Sequence, residues 1–384
     1  MKVAIVHDWL MLVAGAEKVL LSLLDIYPQA DLYAVLTGFS EEEQRRIFGR
    51  EVKTSFIQKL PFSKKHYRSY LPLMPLAVEQ FDLSEYDLVI SSCYAVSKGV
   101  ITGPDQVHIS YTHSPMRYAW DMQNQYLRES NLDRGFKTVL IRVLLHYIRN
   151  WDSRTANGVD YFMANSDFIR RRILKCYRRD AKVVYPPVDI ERFQLGQNRG
   201  DYYFTASRMV PYKQIPMIAE AFSRMPDKKL VIGGSGPQFD LVRAKAGPNI
   251  TLLGELSNAD MVSHMQSARA FVFAAEEDFG IMPLEAQACG TPVIAFGKGG
   301  SLETVRGEPG ARRTGVFFRE QTAEAIMQAV HEFEAIEDSI SAHDCRAHAE
   351  MFAPARFCRE FKAFVDDVMK RPSAVDRRVV ARIG

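Results

Sequence analysis

The chain has 384 residues, 47% of them hydrophobic and 25% charged, with a formal net charge of +3. That length exceeds what one core organises, so two domains of roughly 150–200 residues are expected. The composition is that of an ordinary globular protein, and the small net charge speaks against a bulk nucleic-acid binder. Cys93, Cys176, Cys289, Cys345 and Cys358 form no Cys-x-x-Cys or tight metal spacing and read as reduced thiols, mostly in cores, of a cytoplasmic protein. Lys2 brings charge too early for a signal-peptide core, and no apolar run approaches membrane-spanning length, so any membrane contact is expected to be peripheral.

In chain order, residues 3–6 read as a buried strand that leads through a loop with Gly15 into a helix over 17–24. Residues 88–91 and 108–111 are further strands. A basic stretch, 52–78, carries Lys53, Lys59, Lys64, Lys65 and Arg68 among Phe56, Phe62, Tyr67 and Tyr70. Residues 136–149 have helical spacing, with Arg142, His146 and Arg149 on one side and Val139, Leu140, Val143, Leu144 and Ile148 available for burial. Two prolines in Val183-Val-Tyr-Pro-Pro-Val-Asp189 stiffen the exit from this first set. The alternation restarts with a strand at 202–206, a helix near 215–222, a strand at 229–232, a turn at Gly233-Gly-Ser-Gly-Pro237 and a strand at 251–253. Two successive sets predict two Rossmann-like α/β domains, 1–190 and 191–354, each with a parallel sheet covered on both faces; facing each other, they would enclose a cleft. Residues 355–369, apolar at Phe357, Phe361, Phe364, Val365 and Val368, form a last helix, and a tail with Arg377, Arg378 and Arg382 completes the third segment, 355–384.

The most informative stretch is Glu277-Asp-Phe-Gly-Ile-Met-Pro-Leu-Glu285. An apolar strand precedes it at 271–275, a short helix ends at Gly290, and another strand follows at 291–296. Pro283 suits the first helical position and Gly290 the left-handed position past the helix end, which puts Glu285 at about the third helical residue. A helix start at the carboxyl end of a strand favours phosphate. The two carboxylates would repel a phosphate but accept hydrogen bonds from sugar hydroxyls. A capping role for Glu285 is the structural alternative, although Met282 stands where a capping box needs Ser or Thr.

Arg208 and Lys213, in Ser207-Arg-Met-Val-Pro-Tyr-Lys213, fall in a loop after a strand. A planar fork and a mobile ammonium suit a diphosphate, and taken alone the pair also fits a solvated surface. His113, in Ile109-Ser-Tyr-Thr-His-Ser-Pro-Met-Arg-Tyr-Ala-Trp-Asp121, directly follows another strand; it is either a site residue or a histidine satisfied by nearby backbone.

The Glu-x7-Glu element with its Phe-Gly and Glu-Ala-x-Ala-x-Gly-x-Pro-Val-Ile run resembles the donor-site signature of retaining glycosyltransferases of family GT4, which have the two-domain GT-B fold. Further matches follow in the family's order over almost the whole chain. The resemblance implies that Arg208 and Lys213 neutralise a nucleotide diphosphate, and that Glu277 contacts the transferred sugar. It places the backbone of Phe279, Gly280, Ile281 and Met282 near sugar hydroxyls and phosphate, and Glu285 on the ribose. It makes His113 the active-site histidine, and it implies that the final helix returns to the N-terminal domain. Ala14-Gly15-Ala-Glu-Lys18 is similar to the family's glycine loop, with Ala14 where the first glycine of a pair stands; its Cβ is expected to restrict the turn.

Within the family, His7-Asp-Trp-Leu10, Tyr111-Thr-His-Ser-Pro-Met-Arg-Tyr118 and Trp120-Asp121 resemble mannosyltransferases of O-antigen and exopolysaccharide assembly. The implied donor is GDP-mannose and the implied acceptor a glycan or lipid-linked oligosaccharide. No Asp-x-Asp triplet occurs, and no metal or other cofactor is expected. The basic stretches and the amphipathic helix fit an anionic membrane surface. Another donor such as a UDP-sugar, a nucleotide-sugar epimerase on the same fold, and a non-catalytic glycan-binding module are the competing readings.

Overall fold

The computed structural model describes residues 1–129, 132, 134–309 and 312–371. The chain divides into two compact units, Met1–Pro186 with the chain from Phe357, and Pro187–Arg356. These divisions lie a few residues from the 190/191 and 354/355 limits read from the sequence.

The first unit is built on seven strands: β1 Val3–His7, β2 Asp31–Ala34, β3 Val52–Thr54, β4 Leu88–Cys93, β5 Val107–Thr112, β6 Tyr161–Ala164 and β7 Ala181–Val183. Their order is β3-β2-β1-β4-β5-β6-β7 and every neighbouring pair is parallel. A parallel sheet is covered on both faces, so its central strands are buried without a break; all of β1 and β4 is buried. Alternate residues feed two cores. Val3 and Ile5 join Leu20, Ile90 and Tyr111 on one face; Ala4 and Val6 join Val35, Val89, Ile148 and Trp151 on the other. The helix Pro354–Met369 buries Phe357, Phe361, Val365 and Val368 on the first face, a 4-4-3 spacing that makes one stripe. The rings of Phe357 and Phe361 stand 5.7 and 6.3 Å from that of Tyr111. Each such phenylalanine contributes about 1.5–3 kcal/mol by leaving water.

The second unit has six strands, β8 Tyr203–Ala206, β9 Leu230–Gly233, β10 Ile250–Gly254, β11 Ala270–Phe273, β12 Val293–Phe296 and β13 Gly315–Phe318, in the order β10-β9-β8-β11-β12-β13 and all parallel. In both sheets the order reverses once, between β1 and β4 and between β8 and β11. Loops leaving the carboxyl ends at such a switch point part to opposite sides and leave a crevice for a ligand.

The sequence pattern overlooks β2, β3, β6, β7 and β13. Each has three or four residues, too few for a period, and neighbours in the sheet define them. The helix expected at 17–24 runs over Gly15–Ile26. The helix Phe136–Thr155 corrects part of the burial read from its spacing: Val139, Leu140 and Val143 are 56%, 58% and 63% exposed, whereas Ile148 is buried as expected and Thr138, Leu145, Trp151 and Asp152 go inside with it. Arg149 also turns inward, donating to the Ala119 carbonyl at 2.9 Å. Arg377, Arg378 and Arg382 lie outside the described residues. Among the described residues no helix is long and apolar enough to cross a membrane.

Candidate active site

At the switch point of the second unit, the loop after β8 carries Arg208 and Lys213, and the loop after β11 carries Glu277. Lys213 Nζ and the Glu277 carboxylate form an ion pair, both side chains largely buried. The ammonium also lies 5.3 Å from the centre of the Tyr212 ring and 5.9 Å from that of Phe273. Arg208 is exposed.

Two glycine turns hold these loops. Gly234, with φ +108°, packs so tightly that a Cβ there would come 2.0 Å from the Ser207 carbonyl oxygen. Met209 N–H donates to the Ser235 carbonyl at 2.7 Å, so the turn after β9 supports the Arg208 loop from below. The turn after β12 does the same for Glu277. Gly300 N–H donates to the Glu277 carbonyl at 2.8 Å, and a Cβ on Gly300 would come 2.3 Å from Phe279 Cα. Glycines close after a strand are the sequence signal of both turns, Gly233-Gly-Ser-Gly-Pro237 and Gly297-Lys-Gly-Gly300, although pattern alone assigns neither a role.

The helix that starts between the two glutamates is Ile281–Ala288, with Gly280 as its cap at φ +89°. Pro283 is therefore the third helical residue, a correction that leaves the physics intact, because first-turn N–H groups lack an intrahelical partner in any case. The N–H groups of Ile281 and Met282 are two of these. Gly290 has φ +83°, the left-handed conformation its place past the helix end requires. Glu285 is the fifth helical residue, where about the third was expected, and is only 6% exposed.

In the first unit, Ala14 caps the helix Gly15–Ile26 with φ −122° and ψ −152°. This is extended backbone open to any residue. The expected restriction from its Cβ is absent. Asp8, fully buried after β1, accepts four backbone N–H bonds, from Tyr94, Ala95, Val96 and Ser97 at 2.6–3.0 Å. One carboxylate thus fastens the loop after β4 to β1 across the switch point.

His113 follows β5 with its ring half-buried. Its Nε2 is 2.9 Å from Ser92 Oγ, and the same hydroxyl is 3.0 Å from His7 Nδ1. His7 Nε2 lies 3.4 Å from Glu17 Oε1, and Glu17 Oε2 accepts the Ala14 N–H at 2.9 Å. Burial pushes the His113 pKa down to about 3, so the ring is neutral near pH 7. Burial alone would push Glu17 up, but hydrogen bonds from His7 and Ala14 outweigh it and hold the carboxyl below its ordinary value.

The segment from His113 to Asp121 is tied down along its length. Asn165 Nδ2 donates to the His113 carbonyl at 3.0 Å. Arg172 donates to Ser114 Oγ at 2.7 Å and grips Asp121 with its Nε and Nη2. Trp120 Nε1 donates to Asp152 Oδ2 at 2.7 Å, and Asp152 pairs with Lys98 at 2.6 Å, both wholly buried. None of Ser92, Asp152 or Lys98 stood out in the sequence, since a lone Ser, Asp or Lys carries no pattern.

Two doubly wound parallel sheets, each with a switch point lined by polar side chains, define the GT-B class of two-domain proteins. The pattern of the Glycosyltransferase Family 4 domain matches residues 13–192, and that of glycosyl transferases group 1 matches residues 188–351. These matches together run along most of the chain, which belongs to the GT4 glycosyltransferase family. A GDP-mannose-dependent monoacylated alpha-(1-6)-phosphatidylinositol monomannoside mannosyltransferase of Corynebacterium glutamicum is 38% identical over 114 residues, 26% of this chain and 30% of that protein. A D-inositol 3-phosphate glycosyltransferase of Mycobacterium leprae is 26% identical over 181 residues, 40% of this chain and 42% of that protein. The matched region thus spans less than half the length of these curated relatives. The structure of Anabaena HepE in complex with UDP shares the fold at a TM-score of 0.70 and 16% identity, covering 96% of this chain and 100% of that one. Sucrose-phosphate synthase of Thermosynechococcus elongatus does so at 0.71 and 15%, covering 96% and 99%.

Proposed function

We propose that the protein is a retaining, metal-independent glycosyltransferase that moves mannose from GDP-mannose onto a lipid-linked or growing cell-surface polysaccharide. The observation that carries this reading is the Lys213–Glu277 pair beside a helix start at a sheet switch point. Lys213 and Arg208 neutralise the diphosphate and stabilise it as a leaving group, the main electrostatic contribution to catalysis. Phosphate also meets the N–H groups of Ile281 and Met282. Glu277 accepts hydroxyls of the transferred sugar, Glu285 the ribose, and His113 contributes a hydrogen bond to the reacting sugar. Retention follows from a front-face displacement in which the leaving phosphate helps deprotonate the acceptor. The mannose choice is supported by the resemblance in His7–Leu10 and Tyr111–Asp121, and by the partial likeness to a GDP-mannose-dependent relative.

A thermal-shift series with GDP-, UDP- and ADP-sugars tests the donor. GDP-mannose at a hundredfold its dissociation constant is expected to add about 2.7 kcal/mol of apparent stability. A shift with a UDP-sugar and none with GDP-mannose would overturn the donor choice. Incubation of the nucleotide sugar without acceptor separates the transferase from an epimerase, whose product keeps the diphosphate linkage.

The same reading places the acceptor at an anionic membrane surface, with the protein at the inner face of the cytoplasmic membrane. Exposed Val139, Leu140, Val143 and Tyr147 form an apolar strip next to exposed Lys137 and Arg142. Phe62, 76% exposed, stands among exposed Lys59, Lys64, Lys65 and Arg68. Apolar side chains ringed by lysine and arginine suit the boundary of anionic headgroups and acyl chains. Co-sedimentation with vesicles is expected to rise with the anionic lipid fraction and to fall for a Val139→Ser, Val143→Ser protein. Binding that ignores lipid charge would remove this part of the proposal.

A further inference from the structure

Ser92, on β4, stands between two imidazoles, and its single hydroxyl proton can serve only one of them. Glu17 decides which. An ionised carboxylate only accepts, so His7 Nε2 carries a proton toward Glu17, and in a neutral His7 the Nδ1 atom is then a lone pair. Ser92 gives its proton to that atom at 3.0 Å. Its oxygen is left as the acceptor for His113 Nε2–H at 2.9 Å. The proton positions are assigned from which atoms must accept. A doubly protonated His7 would reverse the row and move the His113 proton to Nδ1. The 3.4 Å between His7 and Glu17 is longer than the roughly 2.7–2.9 Å of a bond between an imidazolium and a carboxylate, and favours the neutral ring.

We propose that Glu17, His7 and Ser92 form a one-way hydrogen-bond chain that holds His113 as its Nε2–H tautomer, leaving Nδ1 as the acceptor for a sugar hydroxyl. Ser92 is then a positioning residue that acts through His113. Every member but His113 is buried, so bulk water does not compete for these protons. Backbone fixes both ends of the row: Ala14 N–H holds Glu17 at 2.9 Å, and Cys93 carbonyl receives the His113 N–H at 2.7 Å. The sugar as ligand rests on the transferase reading, whereas the tautomer rests on the first unit alone.

Long-range proton–nitrogen correlation spectra of the full-length protein, labelled with ¹⁵N-histidine, read both tautomers without donor or acceptor; His7→Gln and His113→Gln proteins assign the signals. The expected result is an Nε2–H tautomer at His7 and at His113. Ser92→Ala is expected to leave the fold intact by thermal unfolding, to give His113 a mixture of tautomers, and to lower kcat about tenfold, the size of one well-made hydrogen bond. Ser92→Thr, which keeps the hydroxyl, is expected to restore both. A His113 Nδ1–H tautomer in the native protein, or an unchanged tautomer in Ser92→Ala, would overturn the chain even if transfer is robust. Failure to transfer from any nucleotide sugar, with the tautomers as stated, would instead defeat the transferase reading.

Discussion

Sugar transfer is expected to fall by about 10²- to 10³-fold in a Glu277→Ala protein, the range seen when a single preorganised polar group is removed from a reacting centre. The fold should survive, because the loop is held by backbone bonds that do not involve the side chain, notably Gly300 N–H to the Glu277 carbonyl at 2.8 Å. Nucleotide binding carries the distinguishing sign. In the native protein Glu277 neutralises Lys213, and alanine leaves the full ammonium charge for the diphosphate. GDP is therefore expected to bind as tightly as before or more tightly while turnover collapses. Lys213→Ala should do the opposite to GDP, weakening it, and lower turnover too. Calorimetric titration of GDP together with initial transfer rates measures both. Unchanged transfer in Glu277→Ala would end its assignment as the sugar contact, and parallel losses of GDP affinity in both variants would contradict the pairing argument.

The largest stability loss is expected from Lys98→Met. Lys98 Nζ lies 2.6 Å from Asp152 Oδ1 and also donates to the Asp152 carbonyl at 2.8 Å and Thr155 Oγ1 at 3.1 Å. Both charged groups are out of reach of water. Removing one partner strands the other charge in a low-dielectric interior, which costs about 3–5 kcal/mol. The carboxylate keeps Trp120 Nε1 and Tyr177 OH as donors, so the loss should stop short of complete unfolding. Trp9, Trp120 and Trp151 are the three tryptophans of the chain, and all lie in the first unit. Urea unfolding followed by tryptophan fluorescence thus reports that unit by itself. A Lys98→Met, Asp152→Leu protein should recover part of the loss, since no charge is then left buried without its partner, although Trp120 Nε1 and Tyr177 OH lose their acceptor. A shift below about 1 kcal/mol in Lys98→Met would show that water reaches the pair.

Much of the site was legible because its residues sit where local pattern places them. His113 directly follows β5, and Arg208, Lys213 and Glu277 lie in the loops that leave β8 and β11, so each emerges on the carboxyl side of an apolar strand. What brings Lys213 to Glu277 is the adjacency of β8 and β11 in the sheet, across 64 residues of chain. The helix Phe136–Thr155 shows the reverse case. Its apolar residues fit more than one stripe, and periodicity alone chose the wrong one for Val139, Leu140 and Val143.

By itself the sequence determined the α/β alternation, its restart after two prolines, the helix start between two glutamates and the apolar stripe of the last helix. These are local matters of burial period, proline and glycine geometry, and each is written within about a dozen residues. Only the tertiary structure decided the strand order, the fastening of the β4 loop by Asp8, the glycine turns under Arg208 and Glu277, and the row from Glu17 to His113. Those depend on partners such as His7 and Ser92, 85 residues apart. A hydrophobic period shows that a side chain is buried, whereas the identity of its neighbour is set when strands from distant parts of the chain are laid side by side.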